Sequence, residues 1–192
     1  FKINLIDEDT YRTRWPQYIT RWDVRHGLPF EQCTVDFIYS SHLLEHLTKN
    51  EAERLLKECY HVLKPGGLIR IVVPDLRVWA QKYLENDAKF FDREHLEGEL
   101  PSHKFLRQLG LDDGFEKGLV SRIKAWVIGY QRHRWMWDYD SLSSSLNSYG
   151  FVDVEKKSHR EGVVPDIEVL DPNGLEMESL YVEGKKPKLE IE

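Results

Sequence analysis

A strand–helix–strand unit over residues 35–73 is the feature that most constrains the fold of this chain. Val35–Ser40 is rich in β-branched and aromatic residues, and Leu68–Val73 (LIRIVV) is almost entirely apolar. Between them, Lys49–Leu63 carries apolar residues at helical spacing. A run such as LIRIVV is typical of a strand that is covered on both faces, as in a parallel sheet. The unit therefore predicts an α/β domain with a mostly parallel sheet.

Local signals place the ends of these elements. Thr48 is a candidate N-cap with Glu51 three residues later, which is the pattern of a capping box. Pro65-Gly66-Gly67 predicts the end of the helix and a structural turn before the next strand. Two further strands are predicted at Phe151–Lys156 and Ser179–Glu183. Because no helix is predicted between them, we expect an antiparallel strand at one edge of the sheet.

Residues 87–135 interrupt the alternation of strands and helices. They are rich in charged residues, histidine and aromatic residues, with helical spacing around Lys104–Leu109 and Leu119–Arg132. We interpret residues 87–135 as a helical insertion or lid within a single domain that covers residues 1–192.

Composition excludes several classes of protein. Hydrophobic residues make up 41% of the chain and aromatic residues 12%, which argues against intrinsic disorder. The chain has 27 basic and 33 acidic residues, so the charge balance does not favour nucleic acid as a partner. Two cysteines cannot form a disulfide framework, which predicts a reducing, cytoplasmic location. The longest apolar runs are a few residues, so we expect no membrane partner.

Three blocks within residues 23–75 carry a family resemblance. They read DVRHGLPF, VDFIYSSHLLEHL and ECYHVLKPGGLIRIVVPDL, in that order. The blocks resemble the class I S-adenosylmethionine (SAM)-dependent methyltransferases of the group called type 11, with His61 where that group usually has Arg. The resemblance implies a Rossmann-like fold with SAM as cofactor. It also implies methyl transfer to a small or medium-sized acceptor, which would be the small-molecule partner.

The resemblance also implies a cofactor site at the carboxyl ends of the strands, where open α/β sheets bind nucleotide-like ligands. Asp7, with Asp9 as the less favoured alternative, would accept hydrogen bonds from the ribose. Asp23 would accept from the adenine amine, while Val24 would offer its backbone amide to the ring. The residues that would line the methionine end are Ser40, Ser41 and His42. Each acidic residue could instead be a solvated turn residue, and residues 40–42 could simply cap the strand end.

Two histidines are candidate catalytic residues, His42 and His133. His133 begins a cluster of aromatic and polar residues that also contains Trp135, Trp137, Asp138 and Tyr139. Aromatic rings can form the wall of an acceptor pocket and screen a sulfonium cation. Alternatively, the tryptophans pack the insertion against the core. Alignment of the reactants supplies most of the acceleration of a methyl transfer, so a general base is needed only where the acceptor must lose a proton early.

A competing motif overlaps the second block. His42-Leu43-Leu44-Glu45-His46 spells H-x-x-E-H, which on a helix would place both histidines on one face for zinc, with Glu45 as general base. A third ligand would have to come from a downstream helix, for example from residues 94–103. Because the methyltransferase group has its own LEH at this position, we predict that the site holds no metal, and that Glu45 and His46 serve in capping and surface pairing. A zinc hydrolase remains the less favoured alternative.

One part of the family pattern is missing. The chain contains no first strand with a G-x-G-x-G loop, and it opens at what resembles the second strand of the family. We expect an upstream segment to supply both. The alternative is a truncated relative that acts as a non-catalytic binding module. The sequence leaves open whether the protein forms a homodimer.

Overall fold

Four strands form one sheet in the computed structural model, which describes residues 22–91, 100–111, 133–171 and 173–188. The strands are β1 (Val35–Ser41), β2 (Leu63–Pro74), β3 (Val152–Lys157) and β4 (Ser179–Lys185). Their spatial order is β1-β2-β4-β3, with β1 parallel to β2 and β4 antiparallel to both of its neighbours. Three of these four strands point in one direction, which confirms the predicted Rossmann-like α/β class with a mostly parallel sheet.

The antiparallel strand lies one place inside the edge rather than at it. β4 is buried along almost its whole length, whereas most residues of β3 are exposed. A strand that is covered on both sides by neighbours suits the interior of a sheet, and a strand with exposed charged side chains suits an edge. The strand at this side of the described sheet is therefore β3, which carries Asp153, Glu155, Lys156 and Lys157.

Six helices accompany the sheet within the described ranges. They are α1 (Lys49–Val62), α2 (Leu76–Leu84), α3 (Ala88–Phe91), α4 (Pro101–Gln108), α5 (Tyr139–Ser148) and α6 (Ile167–Leu170). Two short 3₁₀ turns cover Val24–His26 and Leu44–His46. None of the described helices is both long and apolar enough to cross a membrane.

The described part of the predicted insertion is helical and packs against α2. The rings of Tyr83 in α2 and Phe105 in α4 stack with their centroids 5.0 Å apart. Phe91 at the end of α3 is buried and contacts Trp79 of α2. The helix predicted around Leu119–Arg132 lies outside the described residues.

Helix α1 follows the local sequence signals closely. The Thr48 hydroxyl accepts a hydrogen bond from the Glu51 amide, and the Glu51 carboxylate accepts one from the Thr48 amide, so the capping box is confirmed. The buried face of the helix consists of Ala52, Leu55, Leu56, Cys59 and Val62. This face packs in the same core as Ile69 and Ile71 of β2. Packing against the sheet therefore buries the apolar stripe that the spacing predicts.

Strand β2 begins earlier than the sequence predicts. It starts at Leu63, directly after α1, so Pro65-Gly66-Gly67 lies inside the strand rather than in a separate turn. The pairing with β1 jumps there, from Val35 opposite Leu63 to Phe37 opposite Leu68. Gly66 adopts a φ of +82°, a left-handed conformation that favours glycine, and its amide donates to the Lys186 carbonyl. The glycines thus form an irregularity that keeps the chain paired instead of ending the element.

A buried arginine lies in the middle of β2. Arg70 is completely buried, and its guanidinium donates to five oxygens. Two belong to the carboxylate of Asp171, one to the carboxylate of Glu183, and two to the carbonyls of Ser158 and Glu161. Every N–H group of an arginine side chain is therefore satisfied. The network ties the segment between β3 and β4 to the centre of the sheet.

Asp171 is held ionised by this network. Burial alone would raise the pKa of its carboxyl group, but hydrogen bonds from the Arg70 guanidinium and the Arg160 amide outweigh burial. The pKa of Asp171 is therefore lowered below its ordinary value, with a further contribution from the Tyr39 hydroxyl.

We expect Asp171→Ala to destabilise the protein by about 3–5 kcal/mol, because it leaves the buried Arg70 charge without its main partner. The matched control is Asp140→Ala, since Asp140 pairs with Arg77 on the surface, where both side chains are largely exposed. The control should change the free energy of unfolding by less than about 1 kcal/mol. Urea denaturation measures both values. Equal losses in the two variants would contradict the role assigned to Arg70.

The lowered pKa of Asp171 also predicts a pH dependence. A carboxyl group with a depressed pKa in the folded state contributes stability above its unfolded pKa of about 3.9, and this stability disappears as the pH falls through the folded-state pKa. The difference in unfolding free energy between the wild type and Asp171→Asn should therefore be large at neutral pH and shrink in acid below about pH 4. Denaturation curves across this range test the prediction, and a difference that stays constant would refute it.

Candidate functional site

A cavity of about 420 Å³ lies between α1, the β1–β2 pair and the segment around the first 3₁₀ turn. Most of its lining is aliphatic, and the polar lining residues lie at the carboxyl end of β1. The lining includes Val24, Leu28, Phe30, Ile38, Ser40, Ser41, His42, Leu55, Cys59, Ile69 and Ile71. Ligand sites of this size, with an apolar wall and a few convergent polar groups, are typical of small-molecule binding.

Four of the predicted site residues meet in this cavity: Val24, Ser40, Ser41 and His42. The Ser40 hydroxyl is buried and has no hydrogen-bond partner within the described part of the chain. An unpartnered buried hydroxyl is costly, so its presence in a cavity wall indicates a place for a ligand atom. The Ser40 side chain is therefore the clearest polar anchor that the cavity offers.

His42 leaves β1 in a strained conformation. Its φ is +49°, which non-glycine residues rarely adopt, and its amide donates to the Val72 carbonyl at 2.9 Å. Its ring lies between two polar groups: Nδ1 is 3.1 Å from Glu45 Oε1, and Nε2 is 3.3 Å from Ser179 Oγ. When Nδ1 donates to the carboxylate, Nε2 is left as an acceptor. The strain and the two contacts together fix the imidazole at the cavity wall.

Glu45 is buried, with 1% of its surface exposed, whereas the sequence suggests surface pairing. Its carbonyl accepts hydrogen bonds from the amides of Arg134 and Trp135, which bring the neighbouring segment of the chain against the second 3₁₀ turn. Its carboxylate atom Oε2 has no hydrogen-bond partner among the residues that the structure describes. Glu45 therefore occupies a position inside the site that the sequence analysis did not foresee.

His133 reaches the site through this main-chain contact. Its ring lies 5.3 Å from the ring of His46, and His46 Nε2 is 3.9 Å from Glu45 Oε1. The potential ligand atoms of Glu45, His46 and His133 all lie within 4.8 Å of one another. The structure thus places both predicted catalytic histidines, His42 and His133, beside the same carboxylate.

The helix expected for the H-x-x-E-H motif is not formed. Residues Leu44–His46 form a single 3₁₀ turn, and His42 precedes it in a left-handed conformation. A left-handed residue breaks the repeating geometry of an α-helix, so the two histidines of the motif do not share a helix face. The arrangement that the motif predicts for zinc is therefore wrong.

Asp23 has a local partner of its own. Its carboxylate caps the first 3₁₀ turn and accepts hydrogen bonds from the Arg25 guanidinium and amide. The Arg25 side chain is the main reason that the pKa of Asp23 is far below its usual range. Val24, the next residue, lines the cavity while Asp23 does not. Asp7 lies outside the described residues.

Most of the cluster that follows His133 has structural tasks. Trp137 is buried in the main core, and its carbonyl accepts from the Leu76 amide. Asp138 forms a capping box with Ser141 at the start of α5, and the Tyr139 hydroxyl donates to the Val154 carbonyl. These residues therefore anchor the chain after His133, and none of the three lines the described cavity.

Ser179 is a second residue of the site that the sequence analysis did not foresee. It opens β4 opposite Pro74 at the end of β2, which brings its hydroxyl to His42. A single serine at a strand start carries no signal in the sequence, since its neighbours become known only from the strand order.

The comparisons with known proteins agree with the blocks described above. A family model described as "Methyltransferase domain" matches residues 6–71. A curated protein of Mycolicibacterium smegmatis, named a probable S-adenosylmethionine-dependent methyltransferase, is 34% identical over 68 residues, which are 33% of this chain and 24% of that protein. This chain thus spans about a quarter of the curated relative that it matches. The predicted resemblance to class I SAM-dependent methyltransferases is confirmed over this segment.

Solved structures of methyltransferases show a more distant likeness. A SAM-dependent methyltransferase from Archaeoglobus fulgidus is 17% identical with a TM-score of 0.49, and the match covers 94% of this chain and 73% of that one. Another from Thermotoga maritima is 16% identical with a TM-score of 0.45, covering 84% and 61%. These identities and TM-scores do not indicate a substrate.

The two cysteines differ in burial, which predicts that their thiols react at different rates. Cys59 lies on the buried face of α1, and burial, with a smaller effect of Glu58, raises its pKa to about 12. Because the thiolate is the reactive form, we expect Cys59 to resist a thiol reagent at pH 8 in the folded protein. Cys33 is half-buried and should react first. A thiol titration before and after unfolding measures both.

The variant Cys33→Ser provides the control for this titration. It should abolish the fast reaction of the folded protein and leave the slow thiol unchanged. If Cys59 reacts in the folded variant as rapidly as in the unfolded one, α1 does not close the cavity.

Proposed function

We propose that the protein is a SAM-dependent methyltransferase that acts on a small or medium-sized acceptor and binds its cofactor in the cavity beside the carboxyl end of β1. The observation that carries the proposal is the meeting of Val24, Ser40, Ser41 and His42 in one cavity. These residues come from two separate blocks of the family pattern. The confirmed resemblance over residues 6–71 supports the same assignment.

The residues of the cavity fit SAM in size and polarity. A volume of about 420 Å³ lies within the range of small-molecule sites, about 300–1,000 Å³. The aliphatic wall suits the adenosine, with the Val24 amide beside the adenine ring. The Ser40 hydroxyl, which lacks another partner, would bind the methionine end together with Ser41. We assign Asp7 to the ribose on the family resemblance alone.

Asp23 can serve the adenine amine only in addition to Arg25. Its two carboxylate oxygens already accept from Arg25, although a carboxylate has about four acceptor sites in total. The Arg25 contact also holds the carboxylate ionised, which favours its role as an acceptor. We therefore keep Asp23 as a cofactor residue that acts from the rim of the cavity.

Bound SAM would supply a methyl group on a positively charged sulfur. The chain would contribute alignment of the acceptor and, where the acceptor carries a proton, a base. His42 is suited to this task because Glu45 holds its Nδ1 and its Nε2 is an acceptor at the cavity wall. Where the acceptor carries a proton, His42 Nε2 would accept that proton when the methyl group is transferred. The buried Glu45 carboxylate would stabilise the imidazolium.

We assign His133 to the acceptor side. It is absent from the lining of the described cavity but lies near Glu45 and next to His46. A cytoplasmic location and the absence of nucleic-acid and membrane partners stay predictions from the sequence, which does not identify the acceptor and leaves a homodimer open.

The sharpest test of this function is Ser40→Ala, measured by calorimetric titration of the whole protein with SAM. We expect wild-type binding and a loss of about tenfold in affinity, since one hydrogen bond to the ligand disappears. The stability without ligand should stay the same or rise, because the variant removes an unpartnered buried hydroxyl. If Ser40 had only a structural role, Ser40→Ala would lower the stability without ligand and leave the SAM affinity unchanged.

The control is Ser144→Ala, the same chemical change on the exposed surface of α5. It should leave SAM affinity unchanged. Absence of SAM binding to the whole protein would refute the proposed function, and tight binding without methyl transfer to any acceptor would favour a non-catalytic binding module.

A further inference from the structure

We propose that Glu45, His46 and His133 form a binding site for a divalent cation of the zinc class. This inference does not rest on the proposed methyl transfer, although Glu45 takes part in both, because none of the three proposed ligands lines the SAM cavity. It also differs from the H-x-x-E-H hypothesis, in which His42 is a ligand.

The distances between the three side chains suit one ion. Their potential ligand atoms lie within 4.8 Å of one another. A tetrahedral zinc with bonds of about 2.0–2.1 Å requires ligand atoms about 3.3 Å apart. Binding of zinc would therefore require the side chains to bring these ligand atoms closer together by up to about 1.5 Å.

The Glu45 carboxylate points to a missing partner. The side chain is buried, with 1% of its surface exposed, and Oε2 has no hydrogen-bond partner within the described ranges. The contacts of His42 and His46 both involve the other oxygen, Oε1. Burial of a carboxylate is costly unless it is paired or coordinates a metal. A cation bound by the Glu45 carboxylate would supply a partner for this buried group.

The main chain holds the three ligands together before any ion binds. Amides of Arg134 and Trp135 both donate to the Glu45 carbonyl, at 2.6 and 3.2 Å, and so fix the position of His133. His46 lies in the same 3₁₀ turn as Glu45. His42 then acts from outside the ligand set, because its Nδ1 orients the carboxylate. Metal sites commonly depend on such outer hydrogen bonds.

The ligand types select the cation. Two imidazoles and one carboxylate are a zinc-binding set that leaves a fourth position for water or a substrate atom. Magnesium and calcium prefer sites made of oxygen ligands, so two histidines disfavour them. Imidazole ligands suit zinc, and cobalt(II), which precedes it in the same series, serves as a coloured probe.

The test is a titration of the metal-stripped whole protein with Co²⁺, followed by displacement with Zn²⁺. We expect one equivalent of Co²⁺ with the visible absorption of a tetrahedral complex. Since outer-ligand substitutions already cost about 10–100-fold in metal affinity, Glu45→Gln and His133→Ala should each lose at least about 100-fold. The matched control is His61→Ala, which removes an exposed histidine near the end of α1 and should leave the affinity for Co²⁺ unchanged.

Two further results decide between the competing explanations. If His42→Ala abolishes binding and His133→Ala has no effect, the H-x-x-E-H motif is the site and the proposal is wrong. If the wild type binds no Co²⁺, or the ligand variants bind as the wild type does, the cluster is a hydrogen-bond network without a metal. Should Glu45→Gln fail to fold, as judged by circular dichroism, His133→Ala decides the matter. SAM affinity is measured separately. Loss of Co²⁺ binding with normal SAM binding would refute the metal site alone, whereas absence of SAM binding would refute the proposed function.

Discussion

The buried charge of Arg70 is the interaction on which much of the described fold depends. A guanidinium in the middle of a sheet is tolerated only when its charge and all of its N–H groups are paired. Asp171 and Glu183 supply the charge, and two carbonyls of the segment after β3 complete the set. This requirement places Glu183, and therefore β4, directly beside β2. The sheet order follows from a polar constraint as much as from apolar burial.

The position of β4 in turn builds the candidate site. Because β4 is antiparallel to β2, its first residue lies at the carboxyl end of the parallel strands, with Ser179 opposite Pro74. That is the end of the sheet where His42 leaves β1. A parallel strand in the same place would bring its last residue there instead, and His42 would lose the partner of its Nε2. The direction of one strand thus connects the stabilising network to the chemistry of the site.

Local signals in the sequence predicted the elements but not their assembly. The capping box at Thr48 and the apolar spacing of α1 depend on residues within one turn of each other, so the sequence determines them directly. The residues 40–42 were found because they belong to a family block. By contrast, the burial of Glu45 and its contact with the segment after His133 depend on pairings between distant parts of the chain. No local pattern distinguishes such a glutamate from a surface residue, and the H-x-x-E-H spacing was misleading because His42 is left-handed.

Glu45 links the two proposals. Its Oε1 contacts His42 Nδ1 and lies 3.9 Å from His46 Nε2, whereas Oε2 has no hydrogen-bond partner within the described residues. A glutamine at this position keeps an oxygen that can accept from His42 Nδ1 but loses the negative charge that a cation requires. Orientation of His42 and binding of a metal are therefore different demands on one side chain. Glu45→Gln therefore separates the two demands, because it keeps an acceptor for His42 Nδ1 and removes the carboxylate that a cation would bind.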